Sequence, residues 1–410
     1  MRICFLFMNK GNNIERGAGY VVASIPKKHP LLVVFAYKKP ISLVVKKMLA
    51  FKPDILMVSS MTLGWVRAVQ IMKSFKIASP GTPVLVGGIH ATILKENAVK
   101  NYGCIDYACV GEGKTFIKEF LAKYKTPALF EIDNLVYENK AGVFLNPVRP
   151  PEDLKTLPKF PWDIFPRPLS VGKYKLLYVT ASRGCPYSCT YCGNRVYLEL
   201  YGKSYIRQRP INQVLDELEE LADKHEFGEF YFSDDMMFTD IDYVKELFSG
   251  IKERLSKPYG CMGRCEYVDE SLADFLQATG CSYVAMGVEC GDENFRRKYL
   301  KRFMTNDQII TSFKLLQDRG IRTTSFNMIG YPFYFDDDLC RSTVEINKVI
   351  DPDILQLSWF YPFRGTQLYD YCVENSLISG KALSSYHAGS ILKMHIGKNN
   401  SPERYLEKLS

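Results

Sequence analysis

The sequence contains no uninterrupted apolar run of the roughly 18 residues that a helix needs to cross a bilayer. The apolar stretch at residues 3–8 is too short for the core of a signal peptide, and no small-residue cleavage site follows it. The formal net charge of +8 is mild for 410 residues and is spread along the chain. These features predict a cytoplasmic protein with no transmembrane segment and no nucleic-acid partner.

Internal repeats and low-complexity tracts are also absent, and the length suggests two or three domains. In residues 1–125, short apolar segments alternate with helical ones. The predicted strands lie at residues 2–8, 31–35, 54–59, 84–86 and 107–110, and the predicted helices at 41–50, 65–75 and 115–124. Strands that are apolar on both faces and separated by helices predict a doubly wound, Rossmann-like α/β domain, which binds ligands at the carboxyl ends of its parallel strands.

Residues 126–175 have the composition of a connector. A hairpin is predicted from residues 134–137 and 142–145. The prolines that recur between Pro147 and Pro168 exclude a regular helix there. We therefore expect an extended, proline-rich tether that is anchored by a few aromatic residues.

A second strand–helix rhythm begins at residue 176. Its predicted strands lie at residues 176–181, 229–233, 259–263, 282–288, 323–329 and 354–360. Thr305 and Gln308 have the spacing of a capping box, which starts a helix. Six such units predict a partial (β/α)6 barrel over residues 176–372, with its chemistry at the carboxyl ends of the strands and a short tail at 373–410. The basic stretch at residues 296–302 is interpreted as a solvated helix face.

Three cysteines, Cys185, Cys189 and Cys192, follow the first strand of this barrel within eight residues. Thiolates at this spacing can surround one soft metal centre. Three protein ligands leave one coordination position open, as a catalytic site requires. The alternatives are a structural zinc with a remote fourth ligand, or buried thiols without a metal. The other nine cysteines show no second set with cluster spacing.

The spacing Cys-x3-Cys-x2-Cys, with Tyr191 just before the last cysteine, resembles the radical S-adenosylmethionine (SAM) superfamily over about residues 176–365. The resemblance implies that Cys185, Cys189 and Cys192 bind three irons of a 4Fe–4S cluster and that SAM chelates the fourth. Reduction of the cluster would then split SAM into methionine and a 5′-deoxyadenosyl radical. It also implies an electron donor such as flavodoxin or ferredoxin.

The same resemblance implies SAM-facing residues at the ends of later strands. Glu289 is expected to meet the ribose or amine of SAM, and Asn327 its adenine. Asp234 belongs to an acidic turn expected to face SAM or substrate. Arg264 closes the third strand, where a cation would meet the SAM carboxylate. For each of them the alternative is a role in a turn or in packing.

Gly-rich turns follow two strands of the first domain, and their place directly before a radical SAM core resembles the cobalamin-binding domain of the cobalamin-dependent radical SAM family. The resemblance implies that the nucleotide tail lies along two loops, and the candidate cofactor-binding residues are Ser59, Thr62, Gly87, Gly88, Gly111 and Glu112. Loop 9–15 lacks the histidine of the Asp-x-His-x-x-Gly motif. This departure implies base-off, His-off cobalamin, and the alternative is a degenerate scaffold domain.

Together the two resemblances imply a cobalamin-dependent radical SAM enzyme. The preferred reaction is methylation of an unactivated carbon or a phosphorus centre in a small-molecule or lipid-like substrate, because an unactivated C–H bond offers no lone pair to a polar methyl donor. One alternative is a rearrangement, cyclisation or oxidation without methyl transfer. Another is a non-catalytic cobalamin-binding or sensory protein, which the intact three-cysteine loop disfavours.

Overall fold

The computed structural model describes residues 1–8, 16–165, 169–171, 174–333, 337–379 and 390–392. The chain divides into two compact units, Met1–Arg167 and Pro168–Ser410. The first unit therefore contains most of the segment that the sequence analysis assigned to a connector. No helix in the described parts of the chain has the length and apolar character that crossing a membrane requires.

The described residues of the first unit form a seven-stranded sheet with helices between its strands. The strands are β1 (Ile3–Phe7), β2 (Leu31–Phe35), β3 (Ile55–Ser59), β4 (Val84–Gly87), β5 (Tyr107–Cys109), β6 (Leu135–Asn139) and β7 (Gly142–Leu145). The helices are α1 (Arg16–Ala23), α2 (Ile41–Phe51), α3 (Thr62–Ala78), α4 (Ile89–Leu94), α5 (Asn97–Lys100) and α6 (Lys114–Lys123). The strand order is β2-β1-β3-β4-β5-β6-β7, with β1 to β5 parallel and the β6–β7 hairpin antiparallel.

The predicted doubly wound sheet is confirmed, and its central strands show why it forms. Every residue of β1 and β3 is buried, as expected for strands with helices on both faces. The proline-rich segment joins this core, because the ring of Phe165 lies 5.3 Å from that of Phe7 and 5.7 Å from that of Phe35. Proline prevents a helix in this segment, and the aromatic side chains between the prolines bind it to the first unit.

The second unit contains a second seven-stranded sheet among its described residues. Its strands are β8 (Leu169–Val171), β9 (Tyr174–Val179), β12 (Glu229–Phe232), β13 (Tyr259–Gly263), β14 (Cys281–Glu289), β15 (Arg322–Ile329) and β16 (Ile354–Trp359), and a separate two-stranded sheet consists of β10 (Ser182–Arg183) and β11 (Arg207–Gln208). The helices are α7 (Asn194–Tyr201), α8 (Ile211–Lys224), α9 (Ile241–Arg254), α10 (Glu270–Thr279), α11 (Glu293–Phe295), α12 (Asn306–Gln317), α13 (Asp337–Ile350) and α14 (Gln367–Glu374).

The order of this sheet is β16-β15-β14-β13-β12-β9-β8, so its six parallel strands follow one another in sequence. Helices connect these strands, and the sheet curls into the predicted partial barrel, with β8 added as an antiparallel edge. The predicted capping box is present, since Thr305 Oγ1 accepts from the backbone of Gln308 and Gln308 Oε1 accepts from that of Thr305. All six strands end at one edge of the sheet, which positions the loops described below.

The basic stretch at residues 296–302 is only partly the solvated helix face that its composition predicted. Arg297, Lys298 and Lys301 are exposed. Arg296 has no exposed surface and donates to the carbonyls of Cys290 and Met304, and Arg302 is also buried. The π-helical turn over Arg296–Leu300 ends at Lys301, whose φ of +52° is left-handed, and Arg302 follows that residue.

Candidate functional site

The three motif cysteines lie on the loop between β10 and α7, beyond the carboxyl end of β9. Cys189 is buried, and Cys185 and Cys192 are partly exposed. Burial, the largest cause, acts together with the nearby Cys189 thiol to raise the pKa of Cys185 to about 11 and that of Cys192 to about 12. Among the described residues no three Cys, His, Asp or Glu side chains converge on a single metal ion. A 4Fe–4S cluster requires a wider arrangement of thiols than a single metal ion does, because each cysteine binds its own iron.

Two acidic residues after β12 hold the start of this loop. Asp234 Oδ1 accepts from the backbone N–H of Ala181 at 3.0 Å and from that of Ser182, and Asp235 Oδ2 accepts from the N–H of Gly184 at 3.2 Å. Gly184 has a φ of +98°, and a Cβ there would lie 2.6 Å from the carbonyl oxygen of Tyr205. Asp234 thus positions the cysteine loop, and its predicted contact with SAM or substrate stays a prediction. Because β9 and β12 are parallel neighbours, their carboxyl ends lie side by side, and the carboxylate of Asp234 meets the backbone N–H groups of Ala181 and Ser182.

Asp234 predicts a pH-dependent stability. Burial raises its pKa to about 6, although hydrogen bonds from Ser182 and Ala181 lower it. The folded pKa lies above the unfolded value of about 3.9, so the folded chain binds this proton more tightly and loses stability as pH rises through this window. Asp234→Asn should remove this loss, which amounts to about 2 kcal/mol between about pH 4.5 and about pH 7. Denaturant unfolding of the metal-free proteins measures it, and a difference independent of pH would contradict it.

An arginine lies on the other side of the cysteine loop. Arg264 directly follows β13 and is buried, with Nη1 3.7 Å from Sγ of Cys189. Its Nε and Nη2 donate to the carboxylate of Glu266, and its guanidinium carbon lies 3.7 Å from the ring centroid of Tyr187. The structure gives this side chain a cysteine, a carboxylate and an aromatic ring as partners, where the sequence analysis expected the SAM carboxylate.

Glu289 ends β14 in a left-handed conformation, with a φ of +68°, at an irregularity in the pairing with β15. Its Oε1 lies 3.7 Å from Nη1 of Arg302, and burial raises the pKa of its carboxyl against the lowering effect of Arg302. A side chain at Gly287 would collide with this carboxylate, so glycine leaves room for it. The left-handed backbone conformation of Glu289 and the buried guanidinium of Arg302 therefore hold this carboxylate at the carboxyl edge of the barrel.

Arg302 is a site residue that the sequence analysis missed. It donates to the carbonyl of Gly287 and, at 3.4 Å, to Oη of Tyr191 within the cysteine motif. Its buried Nε has no hydrogen-bond partner among the described residues. A buried donor without a partner costs free energy, and a bound polar ligand would offset that cost. No spacing pattern in the sequence identifies this arginine, since its inward direction results from the left-handed backbone turn at Lys301.

Glu289 as a SAM ligand remains a prediction. Glu289→Gln preserves the shape and removes a charge-assisted acceptor, worth roughly 1.5–3 kcal/mol. SAM affinity should fall about ten- to hundredfold. A calorimetric titration of the iron-loaded protein measures this, with the exposed Glu270→Gln on α10 as the control variant. Unchanged SAM affinity would remove Glu289 from the site.

The side chain of Asn327 lies on the face of β15 that meets α13. Its amide donates to Ser325 on the same strand, and its Oδ1 accepts from Asn347 of α13 at 3.0 Å. Side chains alternate along a strand, so this face meets the helical layer, while Phe326 and Met328 point the other way. The structure thus gives Asn327 partners on β15 and α13, and its predicted contact with SAM stays a prediction.

The candidate loops of the first unit meet at the carboxyl ends of β3, β4 and β5. Ser60 donates its N–H to Gly87 at 3.3 Å, and the loop of Ser59 and Thr62 lies against Gly88. Gly88 and Gly111 have φ values of +89° and +85°, which favour glycine. The structure thus brings the predicted tail-binding loops together.

Two side chains near these loops have partners within the first unit. The carboxylate of Glu112 accepts from the backbone N–H of Glu152 at 2.6 Å, and its predicted cofactor contact stays a prediction. His90 is buried, with Nδ1 3.1 Å from Oγ1 of Thr62 and its ring 4.7 Å from that of Trp65. Loop 9–15, which lacks the cobalt-binding histidine, lies outside the described residues.

Comparison with protein families adds to this geometry. Residues 179–342 match the model of the radical SAM superfamily, and residues 13–121 match that of the B12 binding domain. The chain is a cobalamin-dependent radical SAM enzyme. In this radical SAM enzyme the first match covers β12 to β15 together with the cysteine loop, and the second covers β2 to β5 and the loops at the carboxyl ends of β3, β4 and β5.

Relatives of this radical SAM enzyme support the same assignment. It is 25% identical over 372 residues to an uncharacterized methyltransferase of Pyrococcus horikoshii, and this alignment covers 88% of this chain and 79% of that protein. It is 24% identical over 343 residues to the anaerobic magnesium-protoporphyrin IX monomethyl ester cyclase of Rubrivivax gelatinosus, with coverage of 79% and 59%. The fold is similar to that of TsrM, a radical SAM methyltransferase from Kitasatospora setae, with a TM-score of 0.70, 18% identity and coverage of 91% and 75%.

The residues present fit both cofactors of this family. A loop with three thiols, two of them partly exposed, provides cluster ligands, and the unpartnered Nε of Arg302 provides a donor beside it. The two predicted tail-binding loops meet at Gly88, where a Cβ would lie 3.0 Å from the carbonyl oxygen of Ser60, so only glycine lets them pack this closely.

Proposed function

We propose that this enzyme transfers a methyl group to an unactivated carbon or a phosphorus centre of a small-molecule or lipid-like substrate. The observation that carries the proposal is the three-cysteine loop at the carboxyl edge of the barrel, beside Glu289 and Arg302, in a chain that also has a B12 binding domain. The similarity to proteins named methyltransferases supports this reaction over other radical chemistry.

When bound, the cluster supplies an electron that cleaves SAM to a 5′-deoxyadenosyl radical, and cobalamin carries the methyl group. The chain's own residues bind and orient these groups. Cys185, Cys189 and Cys192 hold the cluster, and the carboxylate of Glu289, kept in place by Arg302, accepts a hydrogen bond from SAM. The backbone at Gly88 and Gly111 accommodates the cobalamin tail.

The cobalamin should be base-off and His-off. His90 is buried against Trp65 and hydrogen-bonded to Thr62, and loop 9–15 contains no histidine that could bind cobalt. Electron paramagnetic resonance of the cob(II)alamin complex should therefore lack nitrogen superhyperfine splitting. Splitting that disappears in His90→Ala would overturn the proposal.

A one-electron donor such as flavodoxin or ferredoxin should act as the partner, because each SAM cleavage consumes one electron. The absence of a long apolar run and the mild net charge favour a cytoplasmic location for this enzyme, and its electron donor would share that compartment. Reduced flavodoxin alone should support formation of 5′-deoxyadenosine. Dependence on a chemical reductant, with no turnover by either carrier, would contradict this partner.

The experiment that tests methyl transfer uses methyl-labelled SAM and candidate substrates. One SAM should leave S-adenosylhomocysteine as cobalamin is methylated, and a second should leave 5′-deoxyadenosine and methionine. Near-equal yields of the two adenosyl products, with label in the product, support the proposal. Substrate-dependent 5′-deoxyadenosine without S-adenosylhomocysteine or label transfer would favour a cyclisation, rearrangement or oxidation, the alternative that the similarity to the Rubrivivax gelatinosus cyclase favours.

A further inference from the structure

The charged groups around the cysteine loop are arranged asymmetrically. Arg264 contacts Cys189, the most buried of the three cysteines, through an N–H···S approach of 3.7 Å. The carboxylate of Asp235 lies at the opposite end of the loop, where it accepts from Gly184. Among the described hydrogen bonds of Arg264, the one to a motif cysteine is therefore to Cys189.

Arg264 is held firmly in this orientation. Glu266 accepts from its Nε at 3.1 Å and from its Nη2, which leaves Nη1 directed at the sulfur. Tyr187, on the cysteine loop itself, lies over the guanidinium and donates its Oη to Tyr267 at 2.8 Å. A planar guanidinium held on three sides loses little freedom when it donates its remaining N–H.

Hydrogen bonds to ligand sulfurs and nearby charge are the main means by which proteins set the potential of iron–sulfur clusters. Adding one electron makes the cluster more negative, and a buried cation that donates to a ligand sulfur stabilises that state. We propose that Arg264 is a positioning residue for electron transfer, which raises the reduction potential of the cluster through Cys189, and that Glu266 limits this effect.

The two residues should therefore shift the potential in opposite directions. Arg264→Gln removes the charge, so the ratio of reduced to oxidised cluster at a fixed potential should fall about tenfold, or about 59 mV for a one-electron couple. Glu266→Gln leaves the guanidinium without its counter-charge and should raise the ratio. Arg319→Gln, which breaks a surface pair with Asp274, is the matched control and should leave the ratio unchanged.

The test is a redox titration of the iron-loaded full chain without SAM, followed by electron paramagnetic resonance. This inference rests on the cluster being bound by the three motif cysteines, and iron content measures that separately. Opposite shifts in the two variants support it, and no shift or shifts of the same sign overturn it. If Arg264→Gln does not retain four irons, Glu266→Gln decides, with a rise supporting the inference and any other result overturning it.

Discussion

Replacing Cys185, Cys189 and Cys192 by alanine should abolish both iron binding and SAM cleavage. The described loop brings these thiols to the carboxyl edge of the barrel, and the other cysteines in the described residues are all buried. Without thiolates the irons have no soft ligands, and without the cluster no electron reaches SAM. The expected loss is complete, the largest effect that any substitution in this chain should have.

Anaerobic reconstitution measures this result. The parent protein should bind about four irons per chain and form 5′-deoxyadenosine after reduction. Cys340→Ala, which removes a buried thiol of α13, is the control and should keep its iron. A triple variant that still contains the cluster would make the central assignment wrong.

A bulky residue at Gly88 should prevent cobalamin binding. Gly88 has a φ of +89°, and its missing Cβ would lie 3.0 Å from both the Ser60 carbonyl oxygen and Ser59 Oγ. Valine in this backbone conformation is strained by about 1–3 kcal/mol, and it displaces the loop that the cobalamin tail must follow. The variant Gly88→Val should lose cobalamin binding and still bind about four irons, because the cysteines belong to the other compact unit.

The control is Gly81→Ala, because a Cβ at Gly81 meets nothing within 4 Å and its φ is not in the left-handed region. Absorbance titration with hydroxocobalamin should give the parent affinity for this control. Tight cobalamin binding by Gly88→Val would show that the tail does not pass this glycine.

Local sequence signals were sufficient for much of the architecture. The strands predicted at 31–35 and 259–263 coincide with β2 and β13, and the others agree within a few residues, because short apolar segments bounded by turn residues leave few alternatives. The capping box of Thr305 and Gln308 is encoded in four adjacent residues. The cysteine motif is similarly local, since three cluster ligands on one loop require no distant partner.

The sequence alone therefore determined the two α/β units, their strands and the loop that carries the three thiols. Tertiary structure decided which side chains surround that loop. The alternation along β15 turned Asn327 toward α13, the pairing of β9 with β12 made Asp234 a support for the loop, and the left-handed turn at Lys301 brought Arg302 next to Glu289. Each outcome depends on contacts between residues more than 15 positions apart or on a left-handed backbone turn, which composition and spacing do not record.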